Sequence, residues 1–409
     1  MQIANRIAEP GAAQALFATA SLTTKSQPFI FVPLPKMITD ALVVQEPGAA
    51  WIHQQITIED SLRDDEVLVE IKATGVCHTD LNFAAEKTMP GLFPGVFGHE
   101  GGGIVVKTGR KVTSTSPGDH VILAYACCGD CKYCSSHASS YCYDFERANL
   151  GVGRADGSKA YAGADGRRIN SHFFGQSSFA KFAIVMATCV VKVDPSLPLE
   201  DLAPLSCGFL TGAGAMLNVV APTVDDVVCI VGAGAVGLAA LMALKMCPTP
   251  PRKVIAVDIV PERLQLAKKY GATVLINSRE VKDLQTALRD ATDGEGVDGA
   301  IDTTGRAAIV VELLKATAKK GRVIQVGVGQ LDAEVSANIL GTVTSGRQYI
   351  GCANGNCFPQ DFVPKLIKAW QNGIFPFTDL AVKYPARDMD LAAKDVLSGK
   401  VVKAVLMWD

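Results

Sequence analysis

The sequence lacks a surplus of charge of either sign. Among 409 residues, 39 Lys plus Arg face 41 Asp plus Glu, a net charge of −2. A polyanion partner calls for a basic face, so this balance gives no support to nucleic-acid binding. The composition of a disordered chain is also missing. At 48% hydrophobic and 20% charged residues, the chain can bury enough apolar surface to offset its ordering entropy. No internal repeat or low-complexity tract interrupts it. The first 36 residues lack the uninterrupted apolar run of a secretory signal, and Arg6 beside Glu9 argues little for a mitochondrial presequence. They read as a flexible or loosely docked extension, with the globular part starting near Met37. A cytoplasmic location is expected, with mitochondrial import through the extension as the alternative. Val227–Leu244 carries no charge for 18 residues, the length of a membrane span. Gly232, Gly234 and Gly237 within it favour a buried strand, a tight turn and a buried helix, so no membrane partner is expected.

What is abundant is cysteine and glycine, 12 and 38 residues. Five cysteines crowd into one segment, Cys127, Cys128, Cys131, Cys134 and Cys142. Such close spacing suits metal ligation in a reducing compartment better than disulfides. From Met37 to about Val193 the chain is β-like, with short runs at Glu66–Lys72, Gly103–Val106, His120–Leu123 and Phe179–Val185 between Gly and Pro turns. Residues Gly151–Asn170 read as a surface loop or hairpin. After Pro222, strands at Val227–Val231, Val254–Asp258, Val274–Ile276, Gly299–Asp302 and Arg322–Gly327 alternate with helices, the pattern of an open parallel sheet. Two helices, Phe362–Asn372 and Met389–Ser398, and a strand at Ala404–Trp408 close the chain. The expected class is α/β. It divides into the 1–36 extension, a β-rich domain over 37–208, a doubly wound domain over 209–353, and a 354–409 tail returning to the first domain.

Gly232-Ala233-Gly234-Ala235-Val236-Gly237 fits G-x-G-x-x-G between a strand and a helix. The first glycine permits the turn, the second admits a pyrophosphate to backbone N–H groups, and the third packs helix on strand. Asp258 follows at the end of the next strand, where a carboxylate accepts both adenosine-ribose hydroxyls and repels a 2′-phosphate. NAD is therefore expected over NADP; Arg263, five residues on, is the one cation that tempers the preference.

Cys128, Cys131, Cys134 and Cys142 place four thiolates within 15 residues, the donor set of a structural zinc, with Cys127 as a substitute for Cys128. Cys127, Cys189, Cys229, Cys247, Cys352 and Cys357 read as small hydrophobes. A second cluster is Cys77-His78-Thr79-Asp80 with Gly98-His99-Glu100. Here Cys77 and His99 suit zinc and Asp80 can orient the imidazole.

These runs, together with Ser178-Phe179-Ala180 and Cys207-Gly208-Phe209-x-Thr211-Gly212, resemble the zinc-dependent medium-chain alcohol dehydrogenases over nearly the whole chain from Met37. The resemblance implies a GroES-like catalytic domain and a Rossmann domain, with two zinc ions per chain. Cys77, His99 and Cys207 would hold the catalytic ion, and Glu100 would be the carboxylate that approaches it. Thr211, His78, Val326, Val328 and Lys403 would contact the nicotinamide cofactor, Lys403 at its pyrophosphate. The expected activity is interconversion of a primary alcohol and its aldehyde by hydride transfer, with Thr79 as first proton carrier. Many relatives have a histidine three residues after that hydroxyl; here it is Asn82, which resembles the aryl-alcohol branch. Ala124, Tyr141, Phe173 and Phe174 are then the pocket candidates, with core packing as the alternative for both phenylalanines. A carbonyl reductase working in the other direction is the rival enzyme, and a non-catalytic protein keeping the fold is the rival outside catalysis. A homo-oligomer, dimer or tetramer, is expected by resemblance.

Overall fold

A computed structural model of the chain describes residues 36–409. The expected extension lies, but for its last residue, outside them. The β-rich part contains β1 (Lys36–Val44), β2 (Ile52–Glu59), β3 (Glu66–Val76), β4 (Gly95–Val96) and β5 (Gly101–Thr108). It continues with β6 (His120–Leu123), β7 (Tyr161–Ala162), β8 (Arg168–Ile169), β9 (Phe182–Met186) and β10 (Val190–Lys192). One sheet runs β4-β1-β2-β7-β8. The other is built on β3, which pairs antiparallel with β5 and β9. Both faces of β3 are buried, which is why its sequence shows little apolar-polar alternation.

The second part is a parallel sheet of β11 (Val227–Val231), β12 (Lys253–Asp258), β13 (Val274–Asn277), β14 (Val297–Asp302), β15 (Thr317–Gln325) and β16 (Gln348–Gly351). Its order is β13-β12-β11-β14-β15-β16. The first strand, β11, thus lies between β12 and β14, and the crevice beyond its carboxyl end is the place where such sheets bind ligands. The uncharged 227–244 stretch is β11 plus the buried Ala235–Ala243 helix. Among the described residues no single helix is long and apolar enough to cross a membrane.

The tail re-enters the first part. Strand β17 (Ala381–Pro385) runs parallel to β18 (Lys403–Met407), and β18 pairs antiparallel with β3, Ala404 opposite Val76. That register brings Lys403 beside the end of β3, one residue before Cys77.

Two expectations need correction. The strand placed at Phe179–Val185 begins only at Phe182. The Phe179 N–H donates to Phe97 O and its carbonyl accepts from Leu42 N–H, so these residues stitch the two sheets together before the chain turns into β9. The Gly151–Asn170 segment contains the β7–β8 hairpin yet is not wholly superficial, because Arg154, Tyr161 and Asn170 are buried. The helix Gly208–Gly214, continuing to Val220, had no signature in the sequence. Its first seven residues are all buried, so no polar stripe marks a period.

Candidate active site

Asp80 organises the first cluster. It lies in the helix His78–Ala85 that starts directly after Cys77 and is fully buried. Its Oδ2 accepts from the Cys77 N–H at 3.0 Å, and its Oδ1 accepts from Gly98 N–H at 3.0 Å and His99 Nδ1 at 2.8 Å. One carboxylate therefore fixes the backbone of one prospective ligand and the ring of another. Donation from Nδ1 leaves the Nε2 lone pair directed away from Asp80, and Nε2 lies 3.2 Å from Cys207 Sγ. Burial opposes a charge on His99, but the Asp80 carboxylate outweighs it and carries the imidazole pKa well above its usual value. A hydrogen bond from Cys207 holds Cys77 well below the usual thiol range, and Cys207 is correspondingly pushed up.

The ligand atoms of Cys77, His99, Glu100 and Cys207 all lie within 4.8 Å of one another. Two thiols, an oriented imidazole and a carboxylate in a buried cleft are the donor set of a catalytic zinc with an open position. Glu100 is fully buried and salt-bridged to Lys403, whose Nζ sits 2.8 and 2.9 Å from its two oxygens. Lys403 thus has an acid for its partner before any cofactor arrives. Gly75 has to be glycine here, since a Cβ would lie 1.9 Å from Glu100 Oε2. Thr79 is half-buried, with Oγ1 3.6 Å from Cys77 Sγ. Asn82 is exposed one turn further along the same helix.

The second cluster matches the four expected cysteines. Four of the six Sγ–Sγ separations among Cys128, Cys131, Cys134 and Cys142 are 3.4 to 4.0 Å, and all lie within 4.8 Å. A tetrahedron with Zn–S bonds of about 2.3 Å has edges of about 3.8 Å, so these thiols fit a zinc ion. Backbone N–H groups of Cys134 and Tyr143 lower the Cys131 pKa to about 6. Cys127 is outside the four-ligand group; burial pushes its thiol to about 12.

At the carboxyl end of β11 the glycines differ from one another. Gly232 has φ +92°, and a Cβ there would meet Thr303 Oγ1 at 2.1 Å; one on Gly237 would meet Gly232 O at 1.8 Å. A Cβ on Gly234 would meet nothing within 4 Å. That open cradle at the first turn of the Ala235–Ala243 helix fits a pyrophosphate. Asp258 closes it, accepting from Ala233 N–H at 2.6 Å and Val260 N–H at 2.8 Å. Arg263 lies against Gly399, and its Nε is buried without a partner. Thr211 stands one turn after Cys207, its N–H donating to the Cys207 carbonyl. Val326 and the exposed Val328 follow β15, and His78 is exposed beside Cys77.

The pocket candidates separate. Phe174 is half-buried and stacks on His99 at 4.6 Å between centroids. Phe173 and Ala124 are fully buried, so they support the wall and present no surface to a substrate. The Tyr141 hydroxyl, with one proton to share, lies 3.1 Å from Gly351 O and 2.5 Å from Asn356 Oδ1, tethering the cysteine loop to the end of β16 and the segment after it. Sequence reasoning missed Gln176. Its Nε2 donates to the carbonyls of His99, Leu123 and Ala124, while its Oε1 accepts from Gly101 N–H. No motif announces a buried glutamine whose partners are all backbone.

A buried Cys-His-Cys ligand set joined to a β-rich domain and a glycine-turn parallel sheet points to a class of zinc oxidoreductase, and comparison with known proteins agrees. Residues 63–195 match the alcohol dehydrogenase GroES-like domain and residues 235–371 the zinc-binding dehydrogenase family. Geraniol dehydrogenase from Castellaniella defragrans is 35% identical over 369 residues, 90% of this chain and 97% of that protein. S-(hydroxymethyl)glutathione dehydrogenase from Saccharomyces cerevisiae is 35% identical, covering 87% of this chain and 92% of its own. The crystal structure of benzyl alcohol dehydrogenase from Acinetobacter calcoaceticus superposes with a TM-score of 0.85 at 37% identity, over 91% of this chain and 100% of that one. The chain belongs to the zinc-dependent medium-chain alcohol dehydrogenases. As an alcohol dehydrogenase it acts on small-molecule alcohols or aldehydes.

Proposed function

We propose that this alcohol dehydrogenase interconverts an aromatic or otherwise bulky primary alcohol and its aldehyde, using NAD. The observation that carries the substrate class is Phe174, a half-exposed aromatic face stacked on the ring of His99. A flat substrate bound beside His99 would pack on that face. Asp258 supports NAD, since a carboxylate at the rim of the glycine turn repels a 2′-phosphate.

Cys77, His99 and Cys207 would hold the catalytic zinc, which supplies Lewis-acid stabilisation of charge on the substrate oxygen. Asp80 keeps His99 in the tautomer that ligation needs. The Thr79 hydroxyl accepts the alcohol proton and passes it outward. Asn82, one turn away, has no titrating group at neutral pH, so water or a substrate group completes the relay. The resident charges near the cofactor cradle are local, with Lys403 neutralised by Glu100 and Arg263 left to meet a phosphate. Six cysteines grouped as metal ligands suit a reducing, cytoplasmic setting. The exposed side chains of Ile339, Leu340 and Val343, beside the edge strand β16, support a homo-oligomer formed through that edge.

The test is reduction of NAD and NADP, followed by absorbance, across a panel of alcohols. Benzyl alcohol with NAD should give a kcat/KM at least tenfold above 1-propanol with NAD and above benzyl alcohol with NADP. A preference for 1-propanol, or for NADP, would overturn the assignment.

A further inference from the structure

Four buried ionisable residues take no part in the chemistry above. Glu59 ends β2, Glu66 begins β3, Arg154 lies before the β7–β8 hairpin and His172 follows it, and all are at most 9% exposed. Arg154 Nη1 donates to Glu59 Oε2 at 2.6 Å, and its Nε to Glu66 Oε1 at 2.6 Å. Its Nη2 reaches Glu66 Oε2 at 3.1 Å, and that oxygen also accepts from the Arg63 N–H at 2.8 Å. His172 Nε2 stands 3.4 Å from Glu66 Oε1 as a close contact without a hydrogen bond, while its Nδ1 is hydrogen-bonded to Ser171 Oγ at 2.8 Å. A buried charge network of this kind gives little net stability, because desolvation offsets the ion pairs. Its position is the informative feature.

His172 leads into a turn with an unusual backbone. His172, Phe174 and Ser177 have φ of 63°, 51° and 54°, and Gly175 has 68°. The left-handed region is unfavourable for a bulky residue such as Phe, so the surroundings must hold the turn in shape. Inside it, Gly175 N–H donates to His172 O at 2.7 Å, and the Ser177 hydroxyl donates to Val96 O at 2.6 Å. This turn delivers two groups to the catalytic histidine: Phe174 on its ring and Gln176 on its carbonyl.

We propose that His172, seated against the Glu66 carboxylate that Arg154 fixes in place, is a positioning residue that holds the 172–177 turn so that Phe174 forms the aromatic wall beside His99. The effect on selectivity rests on the aryl-alcohol reading; the clamp itself does not.

The experiment uses the full-length holoenzyme and two variants. His172→Asn removes the ring yet tolerates the left-handed backbone, and Glu66→Gln keeps the ring but removes the charge that holds it. Hydrogen exchange by mass spectrometry on the peptide spanning 172–178 reads the clamp without any turnover. The ratio of kcat/KM for benzyl alcohol over 1-propanol reads its consequence. Exchange in that peptide should quicken at least tenfold in both variants, with peptides around the four-cysteine loop unchanged. The selectivity ratio should fall at least fivefold, chiefly through a higher KM for benzyl alcohol, and His172→Gln, whose longer side chain brings its amide donor back toward Glu66, should recover part of it. Unchanged exchange in the 172–178 peptide overturns the clamp. Quickened exchange with an unaltered ratio overturns its role in selectivity. If the unmodified enzyme itself shows no preference for benzyl alcohol, the aryl-alcohol reading fails, and the exchange result still decides the clamp.

Discussion

Replacing Asp80 with asparagine isolates how the catalytic metal site is held. The carboxylate serves three donors: Gly98 N–H and His99 Nδ1 on one oxygen, Cys77 N–H on the other. An asparagine whose carbonyl replaces the first oxygen turns its amide N–H2 toward the Cys77 N–H. Two buried donors then face each other, which costs about 1–3 kcal/mol. The hydrogen bond to His99 also becomes a neutral one, and the ring loses the charge that raises its basicity. Loss of such an outer partner lowers metal affinity or activity by about 10–100-fold, which is roughly 1.4–2.8 kcal/mol. The four-cysteine site shares no partner with Asp80 and serves as the internal control. Protein dialysed against graded chelator and analysed for zinc by mass spectrometry should retain one ion per chain while the other leaves at 10–100-fold lower chelator than in the unmodified enzyme. Parallel release of both ions, with kcat/KM unaltered, would refute the reasoning.

Three other outcomes follow from the geometry. Gly234→Ala should fold with stability changed by about 0.5 kcal/mol or less but raise the KM for NAD about tenfold, whereas Gly237→Ala should lose about 3 kcal/mol or more because its methyl meets the Gly232 carbonyl; thermal melts and cofactor titration distinguish the two. Glu66, though burial opposes its charge, is lowered to about 2 by the adjacent His172 and by hydrogen bonds from Arg154 and the Arg63 N–H. Its folded pKa lies below the unfolded one, so its contribution is complete above about pH 4.5 and is lost as pH falls toward 2. Urea melts should show Glu66→Gln destabilised near neutral pH and less sensitive to acid than the unmodified chain; identical slopes between pH 5 and 3 would contradict this. Asn82→His should introduce a titration between about pH 6 and 7 into single-turnover hydride transfer, and an unchanged pH profile would count against an incomplete relay.

Sequence alone reveals those parts of the site whose members are neighbours along the chain. Cys128 to Cys142 lie within one loop, and the glycine turn joins a strand to its own helix, so spacing carries the geometry. Asp80 is also legible, three residues from Cys77 on one helical turn. Long-range partners are different. Cys207 lies 108 residues from His99, and Lys403 lies 303 from Glu100; only the resemblance suggested either position. The salt bridge of Lys403 arises from β18 re-entering beside β3, a pairing that no local pattern encodes. Nothing in the sequence marks Glu59, Glu66, Arg154 and His172 as buried, since burial of a charge depends on which element covers it. The Gly208–Gly214 helix was hidden for the opposite reason: a segment buried on every side has no amphipathic stripe to count.

The most direct test of hydride transfer is isotopic. The enzyme is incubated with benzyl alcohol carrying two deuterons on its alcohol carbon and with NAD, and the reduced cofactor is weighed by mass spectrometry. One deuteron in each reduced nicotinamide, formed only by zinc-replete protein, is the predicted result. Reduced cofactor without the label, or no reduced cofactor from zinc-replete enzyme, would contradict it.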